Sequence, residues 1–276
     1  MTATVIVNGE IDDQISVYDR GLAYGDGLFE TILCVDGNLL LWEQHLERLD
    51  NALTKLHIRP YDSGGLLSLI QPYLSMSGEQ IIKIIVTRGV SQRGYSVPDT
   101  ATANTIIYIS DKETITPDWS VTGITVKFCE TRLAYQPELA GLKHLNRLEQ
   151  VLAQMEFANS DCQEGIMLGY EGEVVEATRH NLFLVKNGGL LTPDLTDCGV
   201  MGVMRAFIIE CARELTVPVS IGRITVSQLL QADEIFLTNS INGIWPICEL
   251  DGTRMATGEV TCLLMDKVAE LFYPHD

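Results

Sequence analysis

The chain has 276 residues, an apolar fraction of 46% and a net charge of −18. That length suits one large or two modest domains with a real core. The acidity, with no basic cluster anywhere, excludes binding to DNA or RNA, which rests on many Lys and Arg contacts releasing counterions.

No apolar run approaches the ~18 residues of a membrane span. The opening MTATVIVNGEIDD has no basic region followed by an apolar stretch, so it is not read as a secretory signal. Seven scattered cysteines without a CxxC pair fit a reducing cytoplasm. Taken in chain order, Val5–Val7 leads into an Asn8-Gly9 turn, and Leu33–Val35 into Asp36-Gly37 followed by Leu39–Leu41; both are hairpin signals. Apolar spacing predicts a helix over Trp42–Leu56, with Leu46, Leu49, Leu53 and Leu56 inward, and a second over about Ser63–Met76. Strands follow at Ile81–Thr87 and Thr105–Ile109, and DKETITPDWS at 111–120 reads as a connector.

The second half opens with a strand at Thr125–Cys129. GLKHLNRLEQVLA, from Gly141 to Ala153, then reads as an amphipathic helix with Leu142, Leu145, Leu148, Val151 and Leu152 inward and Lys143 on its polar side. Glu171-Gly172 and Asn187-Gly188 mark two more hairpins. Helices are expected at Gly202–Leu215, Val226–Gln231 and Glu259–Leu271, with a strand at Glu234–Leu237. The sum is a two-domain α+β chain with mainly antiparallel pairing: an N-terminal domain 1–113, a connector 114–122 and a C-terminal domain 123–276 that carries Lys143.

Several familiar motifs are absent. GDGLFET is not GxGxxG, no GK[ST] exists for a P-loop, and no GxSxG offers a serine nucleophile. The five histidines are dispersed, without HExxH or cysteine partners, so no metal is expected. GVMGVMR enters a helix with glycines and no phosphate-holding side chain, which leaves backbone N–H groups and the helix dipole.

DRGLAYGDGLFET, HLERL, TRG, LKHLNRLEQ, VVEATRHN, GVMGVMR and TNSINGIWP follow one another in an order and spacing that resembles the class IV pyridoxal-phosphate enzymes. That family holds branched-chain aminotransferases, D-amino acid aminotransferases and 4-amino-4-deoxychorismate lyases. The resemblance covers nearly the whole chain. It implies the two-domain fold of the branched-chain and D-amino acid aminotransferases, an active site between the domains and a homodimer.

By the same resemblance Lys143 is the Schiff-base lysine, the primary amine that bonds to the cofactor aldehyde and shuttles protons. Glu176, 33 residues further on, is the carboxylate that pairs with the pyridine nitrogen; taken alone it reads as a strand-end surface acid. Arg48 in HLERL is the clamp on the cofactor phosphate. Val203 and Met204 offer N–H groups at a helix start, Gly202 permits the approach, Ser240 contacts the phosphate and Val200 packs on the ring.

Within the family, Phe29 stands where D-amino acid aminotransferases present a tyrosine, and Arg-Gly-Tyr-Ser at 93–96 is similar to the lyase pattern. Arg93, near Tyr95, is the candidate partner of a substrate carboxylate, whereas Arg88 reads as structural. Glu30 departs from lyases that carry threonine. The resemblance therefore implies conversion of 4-amino-4-deoxychorismate to 4-aminobenzoate and pyruvate, a step towards folate. The alternatives are a class IV aminotransferase for branched-chain or D-amino acids, and a scaffold that has lost its cofactor.

Overall fold

Asn8 and Gly9 take φ of 52° and 90° in the computed structural model. That left-handed pair suits a two-residue hairpin, and it joins β1 (Thr4–Val7) to β2 (Glu10–Ile11). The structure describes residues 3–58, 62–92, 94–97, 101–114 and 117–274. The chain divides into two units, the first comprising 1–113 with 143–146, the second 114–142 with 147–276.

In the first unit, α1 (Arg20–Tyr24) precedes β3 (Gly27–Val35), β4 (Asn38–Leu39) and α2 (Trp42–Lys55). The expected helix over Ser63–Met76 is broken. Only α3 (Leu66–Ile70) is α-helical, between 3-10 turns at Ser63–Gly65 and Gln71–Tyr73, and Pro72 supplies no N–H to continue it. Strands β5 (Glu79–Thr87) and β6 (Asn104–Asp111) complete a six-stranded sheet of order β2-β1-β6-β5-β3-β4. One face of it buries Leu28, Ile32, Ile82 and Ile84, and α2 buries Leu49, Ala52 and Leu53. Each of these leucine and isoleucine side chains contributes about 1.5–3 kcal/mol by leaving water. Leu46 and Leu56, expected inward, are only half-buried, and His45 takes a fully buried position instead.

The second unit contains α4 (Trp119–Thr122), β7 (Ile124–Leu133), α5 (Leu148–Met155), β8 (Glu164–Gly169), β9 (Glu173–Ala177), β10 (Asn181–Lys186) and β11 (Gly189–Pro193). It continues with α6 (Val203–Glu214), β12 (Val219–Gly222), β13 (Ile224–Thr225), α7 (Val226–Leu230), β14 (Glu234–Asn239), β15 (Gly243–Leu250), β16 (Thr253–Arg254) and α8 (Glu259–Phe272). Its ten-stranded sheet is mostly antiparallel, with parallel pairs at β11–β12, β15–β7 and β7–β8. Ile124, Ile166, Leu182, Leu237 and Ile247 form its core. Trp119, inside the expected connector, packs edge-on against Trp245 with centroids 4.9 Å apart, so this stretch belongs to the second unit.

The segment from Gly141 to Ala153 is not one helix. Helix α5 begins at Leu148, and its expected inward residues point outward: Leu148 is 77% exposed and Leu152 54%. Residues 143–146 lie outside it and pair with β3 through an isolated bridge between His144 and Leu28. Phe29 N–H donates to the Lys143 carbonyl at 2.9 Å, and Leu145 N–H to the Gly27 carbonyl at 3.0 Å. This edge pairing moves the lysine out of the C-terminal domain, where the sequence places it, and into the first unit. No helix among the described residues is long and apolar enough to cross a membrane.

Candidate active site

Strand β3 alternates its side chains, so Phe29 and Glu30 emerge on opposite faces. Glu30 meets α2. Its carboxylate accepts from Arg48 Nε at 2.8 Å, from Arg48 Nη2 at 2.5 Å and from His45 Nδ1 at 2.6 Å. The residues lie three apart on α2, which puts them on one helix face. Burial pushes the Glu30 carboxyl up, but the Arg48 charge and the hydrogen bonds from His45 and Arg48 outweigh it and hold its pKa at about 2. Burial lowers the His45 pKa against the pull of Glu30. His45 is therefore a neutral ring that donates from Nδ1.

On the opposite face, the Lys143 ammonium lies 4.4 Å from the Phe29 ring centroid. Lys83, on the neighbouring strand β5, lies 5.4 Å from the same centroid. Two cations thus share one aromatic ring, an arrangement that draws anionic groups.

In the second unit, Glu176, next to last in β9, is buried and paired opposite Met167 of β8. Its Oε2 accepts from the Val200 N–H at 2.9 Å and from the Asn181 side-chain amide at 3.3 Å. The same amide donates to the Val200 carbonyl at 2.9 Å. Arg147 is half-buried; desolvation lowers its pKa, and the Glu176 charge opposes that shift. Gly202 caps α6 in an extended conformation without a side-chain hydrogen bond, so the first N–H groups, at Val203 and Met204, face no cap of its own. A Cβ on Gly202 would stand 1.9 Å from Asn181 Oδ1, so any other residue there would require the Asn181 side chain to move. Ser240 lies half-buried in the turn after β14, where Asn239 Oδ1 accepts from the N–H groups of Ile241 and Asn242.

These groups fit the pyridoxal phosphate implied by the resemblance. The Arg48 guanidinium, held by Glu30, and the start of α6, without a side-chain cap, are features that bind anions. A guanidinium, a helix start and a buried carboxylate are also the donor and acceptor types that a phosphorylated pyridine calls for.

The family model for amino-transferase class IV matches residues 27–250. The chain belongs to that family.

Among class IV relatives, the aminodeoxychorismate lyase of Vibrio harveyi is 36% identical over 87% of this chain and 89% of its own length. A branched-chain-amino-acid aminotransferase of Methanocaldococcus jannaschii, itself described as putative, is 32% identical over 95% of this chain and 92% of its own. The crystal structure of 4-amino-4-deoxychorismate lyase from Pseudomonas aeruginosa superposes with a TM-score of 0.91 at 43% identity, covering 96% of this chain and 98% of that one. The class IV fold is thus shown along nearly the whole chain.

The structure places the class IV candidates in two groups. Phe29, Arg48 and Lys143 lie in the first unit, and Glu176, Val200, Gly202, Val203, Met204 and Ser240 in the second. Tyr95 is 85% exposed, while Arg93 lies outside the described residues. Arg88 pairs with Asp26 and donates to the carbonyls of Leu56 and His57 at the end of α2, a structural role. Sequence reasoning passed over Lys83, Asn181 and Arg147. Period-two alternation from Phe29 could have found Lys83 only with the strand register known, whereas Arg147 stands in a quoted motif.

Proposed function

We propose that the chain is a pyridoxal-phosphate-dependent lyase converting 4-amino-4-deoxychorismate to 4-aminobenzoate and pyruvate. The observation that carries this reading is the phenyl ring of Phe29, flanked by the ammonium groups of Lys143 and Lys83. A dianionic substrate needs local cations in so acidic a protein. A phenyl lacks the hydroxyl through which a tyrosine would hold an amino-acid carboxylate. The likeness to two aminodeoxychorismate lyases supports the same reading.

Pyridoxal phosphate, when bound, supplies a ring that takes up the electron pair released at the amine-bearing carbon. Lys143 Nζ removes the proton from that carbon and returns a proton to the departing enolpyruvate, which becomes pyruvate. Glu176 keeps a negative charge for the pyridine nitrogen, and Asn181 with the Val200 N–H keeps Glu176 in place. Arg48, oriented by Glu30, and the N–H groups of Val203 and Met204 hold the phosphate, with Ser240 as a further contact. Val200 lines the ring. Tyr95 and Arg93 complete the substrate contacts, and Lys83 joins them as a carboxylate partner.

The partner is a second copy of the chain, forming a homodimer in the cytoplasm. Leu148, Val151, Leu152 and Met155 make an exposed apolar stripe on α5 at helical spacing, the kind of surface that another protein covers.

The test is to supply 4-amino-4-deoxychorismate without any keto acid and to assay 4-aminobenzoate and pyruvate. Product formed only from amino-acid and keto-acid pairs would overturn the lyase reading in favour of the aminotransferase, which the 32% identity to the archaeal relative favours. An absorbance band that borohydride removes reports the Lys143 linkage.

A further inference from the structure

Arg20, the first residue of α1, is 4% exposed and its guanidinium is fully engaged. Nε donates to Asp26 at 2.8 Å. Nη1 donates to Ser91 Oγ at 3.0 Å and to the carbonyls of Gly94 and Ser96 at 3.1 and 3.3 Å. Nη2 donates to the carbonyl of Tyr95 at 3.3 Å. Three consecutive carbonyls of one loop therefore turn inward onto a single cation.

Tyr24, one helical turn on, completes the arrangement. Its ring lies under the Arg20 guanidinium at 4.9 Å and against the Tyr95 ring at 5.4 Å. Its hydroxyl accepts from the Gly94 N–H at 3.2 Å. The loop's first limb is strapped to the same element, since Arg20 N–H donates to the Gly89 carbonyl and Ser91 N–H to the Tyr18 carbonyl.

An apolar side chain at this position would leave Asp26 and three inward carbonyls without their donor, the cost of breaking a buried pair. Only a planar fork with five N–H groups reaches four acceptors on the loop and Asp26 at once. Turning the carbonyls inward leaves the Tyr95 side chain outward. It is 85% exposed, yet held by its own carbonyl and by the ring beneath it. An aromatic group presented in this way has lost its ordering entropy before any ligand arrives.

We propose that Arg20 and Tyr24 are positioning residues that preorganise the loop segment at 94–96, so that Tyr95 meets the substrate without a further ordering cost. The proposal rests on the proposed function for the identity of that substrate and for Tyr95 as one of its contacts.

The experiment compares wild type with Arg20→Lys in steady-state kinetics on 4-amino-4-deoxychorismate, in cofactor affinity and in amide hydrogen exchange across residues 94–97. Lysine keeps the charge opposite Asp26 but cannot reach the loop acceptors. The expected result is faster exchange, KM raised about ten- to hundredfold, kcat within about threefold and unchanged cofactor affinity. Methylguanidinium added to Arg20→Ala should recover part of the KM.

Unchanged exchange overturns the proposal, as does faster exchange with an unchanged KM. A parallel fall in kcat and cofactor affinity also overturns it, since that marks damage to the unit at large. Weakened self-association without a change in KM would assign Tyr95 to a subunit contact and overturn it as well. If Arg20→Lys does not fold, Ser91→Ala and Tyr24→Phe each remove one contact and should raise KM about threefold; no change in either overturns the proposal. Should the wild type form no 4-aminobenzoate, the lyase reading falls by itself. The same KM comparison is then made on the amino donor the wild type does use.

Discussion

The Nζ of Lys143 lies 4.4 Å from the centroid of the Phe29 ring, and the Phe29 N–H donates to the carbonyl of Lys143. The Lys143 amine and the ring beneath it are thus set by one strand pairing. Phe29→Tyr would add a hydroxyl on that ring without altering the strand. We expect it to raise transamination of D-alanine about tenfold while lyase turnover persists. The paired amino-acid and keto-acid assay checks this. Lys143→Ala should abolish both activities and the borohydride-sensitive band.

Acid should weaken the first unit through Glu30. Its carboxyl is held at about 2 against an ordinary 4.5. A carboxyl lowered by folding stabilises the protein fully above pH 4.5 and loses that contribution as pH falls towards 2. The shift corresponds to roughly 3 kcal/mol. Urea midpoints measured across this window should fall with pH, and the fall should be shallower in Glu30→Gln. An identical slope in the variant would count against the assignment.

Arg48→Lys should weaken cofactor binding about ten- to hundredfold. Lysine can stay beside Glu30 but gives up the planar fork that serves a carboxylate and a phosphate together. Absorbance titration with pyridoxal phosphate measures the loss.

Glu176→Gln keeps an acceptor for the Val200 N–H, so the fold should survive. It removes the negative charge that sustains a protonated pyridine. The expected fall in kcat is about a hundredfold or more, with the cofactor still bound.

Leu152→Glu on the exposed stripe of α5 should weaken self-association about a hundredfold. Sedimentation at several concentrations should then find monomers where the wild type is dimeric. A wild type that is monomeric throughout would remove the homodimer from the proposal.

Much of the architecture was legible where local chemistry decides the backbone. Asn8-Gly9 and Asn187-Gly188 adopt the positive φ angles that their hairpins need, and α2, α6 and α8 follow their apolar periods. Failures came where a pattern has two physical readings. The leucine period around α5 is the same whether the stripe faces a core or a partner, so Leu148 and Leu152 were assigned inward and lie outward. Strand β15 was hidden by Pro246, which sits opposite Phe236 although proline donates nothing to a ladder. Lys143, Glu176 and Arg48 were named by resemblance to a family. The pairing of Arg48 with Glu30 is different in kind, because it joins residues 18 apart through a strand and a helix. No local window contains it.

Asn181 stands between two parts of the second unit, Glu176 on β9 and the start of α6, to which the proposed function gives different ends of the cofactor. Its amide nitrogen reaches Glu176 and the Val200 carbonyl, while its oxygen occupies the place that a Cβ on Gly202 would need. One small side chain thereby works as a gauge block between the carboxylate and the start of α6. If the second unit holds a pyridine nitrogen at Glu176 and a phosphate at α6 as proposed, a spacer of fixed length would make it selective for size: a phosphate arm one atom longer or shorter would satisfy one end and miss the other.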